Sequence, residues 1–274
     1  MVTVREAYKA AAESLKKHGT EFYNADARIL LECVLGIDSG KLALYYDSAL
    51  SEENAQKYRE YTDLRIKNVP VSYITNKKEF YSLDFYVDNR VLIPRFDTEI
   101  LADEAIKHAQ NVKAAADLCC GSGCIGLTLA KFCPHVSADL FDISDGAVEV
   151  SRINTQKLDI KNADVIKLDI LKNPLPKKYD MILSNPPYIP ICDIDGLSAD
   201  VKKYEPVNAL TDGLDGLTFY KRLKILAQEH LNDGGIMLLE IGINQLDDMK
   251  KIFGEIEFVK DINGIPRVII YKKR

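Results

Sequence analysis

Between Ala114 and Leu231 short apolar runs alternate with amphipathic stretches, and few folds accept that alternation. The runs 114–118, 137–142, 164–168 and 179–184 are rich in Ala, Val, Leu and Ile and have strand length, whereas 125–132, 146–158 and 217–231 carry helical spacing. Strands and helices in strict alternation form parallel sheets covered on both faces. A fifth strand is expected at Gly235–Ile241 and a helix at Gln245–Phe253. Ile256–Lys260 and Pro266–Tyr271 flank Asn263-Gly264, a strong hairpin turn, and would close the sheet. The expectation is an α/β fold: a doubly wound, mostly parallel, seven-stranded sheet.

Two motifs leave this sheet where such folds bind ligands. After the first strand comes Cys119-Cys120-Gly121-Ser122-Gly123, then a helix. Strand, glycine turn and helix form the usual nucleotide-binding arrangement, because glycine lets backbone approach a ligand that a Cβ would block. The spacing is not the dinucleotide fingerprint G-x-G-x-x-G. The second strand ends in Asp142, about 20 residues on, where a carboxylate meets ribose hydroxyls. The third ends in Asp169, which with Ile170 is placed to border an adenine ring.

The fourth strand exits through Asn185-Pro186-Pro187-Tyr188. Proline has no N–H and fixes its φ, and it forces the preceding residue out of the helical region. The exit is therefore stiff and extended. By itself it reads equally well as a strand stop. Beside the glycine loop it reads as a grip for a planar N–H group. The Asn185 oxygen and a Pro186 carbonyl would accept its two N–H bonds, and Tyr188 would stack on it.

The first part of the chain carries no cofactor signal. Val4–Lys17, Asn24–Leu35 and Ser51–Lys67 have helical periodicity, with Asn24 and Ser51 as candidate N-caps. Val69-Pro70-Val71 ends this helical bundle, and Glu79–Val87 has strand character around a turn near Ser82-Leu83-Asp84. Asp97 or Thr98 would cap a helix running through His108. The expected domains are residues 1–70 (helical), 71–90 (a β-hairpin linker) and 91–274 (catalytic).

The net charge of −5 weighs against wholesale nucleic-acid binding, which needs a basic face. No apolar run approaches the ~20 residues that span a bilayer, and the start lacks a signal-peptide pattern, so the cytosol is expected. Cys119, Cys120 and Cys124 flank a glycine turn and lack a second ligand pair, so no metal is expected. None of the four histidines lies near a motif.

Loop, strand-terminal acids and Asn-Pro-Pro-Tyr in this order resemble class I S-adenosylmethionine-dependent methyltransferases that act on nitrogen in planar groups. Further segments resemble the release-factor glutamine methyltransferase family (PrmC/HemK). They are Pro70–Ile74 with Glu79-Phe80, Val91–Arg95 with Asp97-Thr98-Glu99, Tyr204-Glu205-Pro206, Asp212-Gly213, Asp215-Gly216-Leu217, Leu239–Gly242 with Gln245, and Arg267. The resemblance implies N5-methylation of the glutamine in the Gly-Gly-Gln loop of peptide-chain release factors, with S-adenosylmethionine as donor. It implies that Cys119, Cys120, Gly121, Ser122 and Gly123 lie against the methionine part of the cofactor. Asp142 would bind the ribose and Asp169 and Ile170 would flank the adenine. Asn185, Pro186 and Pro187 would hold the glutamine amide, with Tyr188 packed on it. Alternatives are a nucleic-acid exocyclic-amine methyltransferase and a ribosomal-protein glutamine methyltransferase. The family usually has glycine at Cys119; a Cβ there is expected to need φ < 0 or a displaced turn. Arg95 and Glu205 are read either as active-site residues or as a structural ion pair, and Glu240 as structural.

Overall fold

The computed structural model describes residues 2–38 and 40–274. The chain divides into two compact units, 1–76 with 199–204, and 77–198 with 205–274.

In the first unit the helix Val4–Lys17 starts with a capping box, Thr3 accepting from the Glu6 N–H while the Glu6 carboxylate accepts from the Thr3 N–H. Ser51 caps Glu52–Ile66 as its sequence suggests. Asn24 does not cap: the second helix is Tyr23–Leu35, with Asn24 inside its first turn and Phe22 at the cap. Leu15, Leu30, Leu31 and Tyr58 form the core of this unit, and the Tyr58 hydroxyl donates to the Ala27 carbonyl at 2.9 Å. Val71–Thr75, just past the proline read as the end of the bundle, is a further short helix. The short helix Ala199–Tyr204 also belongs here, with the Tyr204 hydroxyl donating to the Lys67 carbonyl.

The second unit opens with a hairpin, β1 (Lys78–Phe80) and β2 (Leu83–Phe85). Its turn is Tyr81-Ser82, one residue earlier than the sequence suggests. Both residues have positive φ, 50° and 58°, as a two-residue hairpin turn demands even without glycine. Tertiary contacts enforce it: the Tyr81 N–H donates to the Glu99 carboxylate and its hydroxyl to Asp103.

The main sheet has seven strands: β3 (Ala114–Leu118), β4 (Ser137–Asp142), β5 (Ala163–Lys167), β6 (Tyr179–Ser184), β7 (Leu231–Glu240), β8 (Glu257–Lys260) and β9 (Pro266–Lys272). Their order is β5-β4-β3-β6-β7-β9-β8. β3 to β7 run parallel, and β9 pairs antiparallel with both β7 and β8. The doubly wound expectation holds. β7 starts at Leu231 rather than Gly235. Both faces are buried, which explains the near-continuous apolar strands. Ala115, Met181 and Leu183 face one core with the helix Cys124–Phe132, and Ala116, Ile182 and Leu239 face the other with the helix Thr218–His230. Among the described residues no helix is long and apolar enough to cross a membrane.

The join between β3 and its helix depends on one buried carboxylate. The helix Cys124–Phe132 begins at Gly123, which has no side chain to cap it. Asp117, from β3, accepts the Gly126 N–H at 2.8 Å instead. The approach is so close that a Cβ on Gly126 would sit 2.9 Å from Asp117. Burial pushes the Asp117 carboxyl up to about 7; the Gly126 N–H opposes the shift and the Asp142 charge adds to it. The folded state therefore holds a proton that the unfolded chain has lost between about pH 4 and pH 7, and stability falls as pH rises through that window. Asp117→Asn should remove this slope. Urea unfolding should show the variant more stable than wild type at pH 8, by on the order of 2–4 kcal/mol, with the gap closing toward pH 4. A gap independent of pH would contradict the shift.

Candidate active site

β3 and β6 are neighbours, and their last residues, Leu118 and Ser184, stand opposite each other in register. The Ser184 hydroxyl donates to the Leu118 carbonyl at 2.6 Å. The glycine loop and the Asn-Pro-Pro-Tyr segment therefore leave the sheet side by side, at the point where the strand order reverses. In open α/β sheets ligands bind in the crevice opened there.

The glycine loop is held from two sides, the end of β4 and the helix that follows it. The Cys120 N–H donates to the Phe141 carbonyl and the Gly121 N–H to Asp142 Oδ2, at 3.0 and 2.9 Å. From the helix Asp145–Lys157, Ser151 donates to the Gly121 carbonyl and the buried Asn154 to the Ser122 carbonyl, both at 2.9 Å. Gly121 and Gly123 take φ of 55° and 79°; a Cβ on Gly121 would meet open space. Cys119 corrects an expectation. It sits in the left-handed region at φ 59° rather than at negative φ. That conformation costs a non-glycine residue roughly 1–2 kcal/mol, and the fixed residues after it hold it there. Burial and the Asp142 charge push the Cys119 and Cys120 thiols well up, and burial pushes Cys124 up to about 12. All three stay protonated at neutral pH. Among the described residues no cluster of His, Cys, Asp and Glu could hold a metal.

A cleft of about 960 Å³ opens over this loop. Cys119, Cys120, Gly121, Ser122, Asp142, Asp169, Ile170, Asn185 and Pro187 all line it, alongside Thr98, Leu168 and Phe219. Asp142 accepts the Gly121 and Ser144 N–H groups, yet burial still raises its carboxyl pKa. Asp169 accepts the Leu171 N–H and pairs with Lys172, and the Ile170 carbonyl accepts from Arg222. Arg95, on the wall, forms an ion pair with the buried Glu205 at 2.7 Å.

Gly123, Pro186 and Tyr188 are not on the wall. Gly123 faces inward, where a Cβ would meet Leu127, Leu140 and Ser151 at 3.0 Å. The Tyr188 hydroxyl donates to Glu240 Oε1 at 3.1 Å, and burial raises its pKa. Burial likewise pushes Glu240 up to about 7 against the hydrogen bonds of Thr98 and Tyr188. The Tyr188 carbonyl accepts from Gln245 Nε2 at 3.0 Å, and Gln245 Oε1 accepts the Gly242 N–H at 2.8 Å. On Gly216, whose φ is 76°, a Cβ would lie 2.2 Å from the Tyr188 oxygen. Gly216, Gln245, Glu240 and Thr98 thus brace the segment. The sequence alone assigned them no such role, because each lies far along the chain from what it braces.

The family description "Methyltransferase small domain" matches residues 95–193, and "PrmC N-terminal domain" matches residues 6–75. A solved methyltransferase from Pyrococcus furiosus is similar at TM-score 0.53 and 20% identity, over 72% of this chain and 91% of that one. The fold is that of a methyltransferase. The chain is also similar to the release factor glutamine methyltransferase of Clostridium acetobutylicum, 39% identical over 97% of each chain. The protein of the same name from Geobacter sulfurreducens is 36% identical, over 97% of this chain and 95% of that one. This chain belongs to the release factor glutamine methyltransferase family.

Gly216→Ala tests the brace. The new Cβ must displace the Tyr188 carbonyl or Gly216 itself, in a left-handed conformation that alanine disfavours. Thermal unfolding should show a loss of about 2–4 kcal/mol. A variant as stable as wild type would mean that the loop yields freely.

Proposed function

We propose that this enzyme transfers a methyl group from S-adenosylmethionine to the side-chain amide nitrogen (N5) of the glutamine in the Gly-Gly-Gln motif of peptide-chain release factors. The observation that carries the reading is Asn185, from Asn-Pro-Pro-Tyr, on the wall of the same cleft as the glycine loop and Asp142. The names of relatives matched over nearly the full chain support the release-factor substrate.

The cleft residues fit the cofactor. Open space beside Gly121 admits the methionine part against backbone, and Cys119, Cys120, Ser122 and Gly123 complete that turn. Asp142 offers carboxylate lone pairs to ribose hydroxyls, and Asp169 and Ile170 border a flat ring with Leu168 and Phe219 nearby. S-adenosylmethionine supplies an electrophilic methyl group on a sulfonium.

The remaining work is orientation. An amide nitrogen is a weak nucleophile because its lone pair is delocalised. The Asn185 oxygen accepts one of its N–H bonds and aims it, Pro186 keeps the segment stiff, Pro187 closes the wall, and Tyr188 braces the segment through Glu240. Holding two reactants in line is worth up to ~7–11 kcal/mol of barrier in well-oriented systems. As the N–C bond forms, the methyl–sulfur bond breaks and leaves S-adenosylhomocysteine, and one amide proton goes to solvent. None of the four histidines lines the cleft. The N-terminal helical domain docks the protein substrate in this reading, and the enzyme works in the cytoplasm beside the translation machinery.

Labelled S-adenosylmethionine tests the reading against a purified release factor, its Gly-Gly-Ala version, and total RNA and DNA. Label on the first alone is expected; label on nucleic acid would replace the reading with base methylation. Asn185→Ala should cut turnover by about 10²-fold or more while cofactor affinity stays near wild type. Normal turnover would exclude the proposed grip. Removal of residues 1–70 should raise KM for a whole release factor far more than for a short Gly-Gly-Gln peptide, and equal effects would exclude the docking role.

A further inference from the structure

Thr98 occupies a helix N-cap and does not cap. It precedes Glu99–Lys107, where a threonine hydroxyl ordinarily accepts an N–H from the first turn. Here its backbone is helical, φ −66° and ψ −19°, and its side chain makes no capping bond. The hydroxyl is instead buried at the cleft wall, where it accepts from Asn185 Nδ2 at 3.3 Å. Nearby, Glu240 is a buried carboxyl whose Oε1 takes the Tyr188 hydroxyl. Glu240 Oε2 is buried with no hydrogen-bond partner among the described residues. The Thr98 hydroxyl favours the charged form of that carboxyl.

We propose that Thr98 is a positioning residue that fixes which way the Asn185 amide faces, so that its oxygen rather than its nitrogen meets the substrate. The inference rests on the proposed glutamine substrate. A hydroxyl has one hydrogen and two lone pairs. The Thr98 oxygen accepts Nδ2 of Asn185, which leaves Oδ1 as the terminus turned to the cleft. The two ends of an asparagine amide have nearly the same shape, and only such a network tells them apart. The distinction decides the chemistry, since the reacting amide brings two N–H donors. An oxygen receives one of them, whereas a flipped Nδ2 would oppose donor to donor. Thr98 and Tyr188 thus approach one carboxyl from the helix side and the loop side and tie Asn-Pro-Pro-Tyr to the start of Glu99–Lys107.

The test compares Thr98→Val, which keeps shape and loses the hydroxyl, with Thr98→Ser, which keeps the hydroxyl. Thr98→Val should lower kcat by about tenfold or more, with the S-adenosylmethionine Kd within about twofold of wild type, and Thr98→Ser should restore most of kcat. Because no cap is lost, Tm should move little. An activity-free readout is hydrogen exchange of the Asn185 side-chain amide by NMR: slow for one Nδ2 proton in wild type and Thr98→Ser, fast in Thr98→Val. Unchanged kcat in Thr98→Val, a Thr98→Ser variant as slow as Thr98→Val, or equal Asn185 exchange in wild type and Thr98→Val would each overturn the proposal. A wild-type enzyme that methylates no release factor would sink the substrate reading instead, and the exchange result would still decide the Asn185–Thr98 contact.

Discussion

The site depends on the parallel pairing of β3 with β6. These strands are far apart in sequence, and the connections leaving them run to opposite sides of the sheet, so their ends open a crevice. In register, Leu118 faces Ser184, and a buried hydrogen bond joins the two. One residue further along each strand stand Cys119 and Asn185, both on the wall of one cleft. The glycine loop and the Asn-Pro-Pro-Tyr segment therefore share a site because of strand order.

Around the crevice the fold accepts local strain and buried charge. Cys119 is held at positive φ, Gly216 presses on the Tyr188 carbonyl, and Asp117 and Glu240 are carboxyls raised to about 7 by burial. Each is unfavourable taken alone, and each holds a loop in place. Asp117 starts the helix behind the glycine loop, and Glu240 receives the Tyr188 hydroxyl behind the Asn-Pro-Pro-Tyr segment. Functional sites are where such departures from local preference concentrate.

Much of the architecture was legible in the residue order. Apolar runs at strand length, helical spacing between them and Asn263-Gly264 near the end located the seven strands of the main sheet. The misreadings were local. Asn24 is a good cap residue whose helix starts earlier, because Tyr23 already lies within its first turn. The turn at Tyr81-Ser82 lacks glycine, and contacts to Glu99 and Asp103 impose its positive φ. Thr98 has the chemistry and position of a cap, but the competing partner that claims its hydroxyl is Asn185, far along the chain.

The sequence by itself determined the class of fold and the two motifs, because periodicity, glycine and proline act over a few residues and need no distant partner. Tertiary structure alone decided what holds those motifs: Gln245 and Gly216 on the Tyr188 carbonyl, Asn154 on the glycine loop, and Thr98 with Glu240 behind Asn185. These are single hydrogen bonds and close approaches between residues far apart in the chain. No local preference encodes them, and they exist only once the sheet has brought its strand ends together.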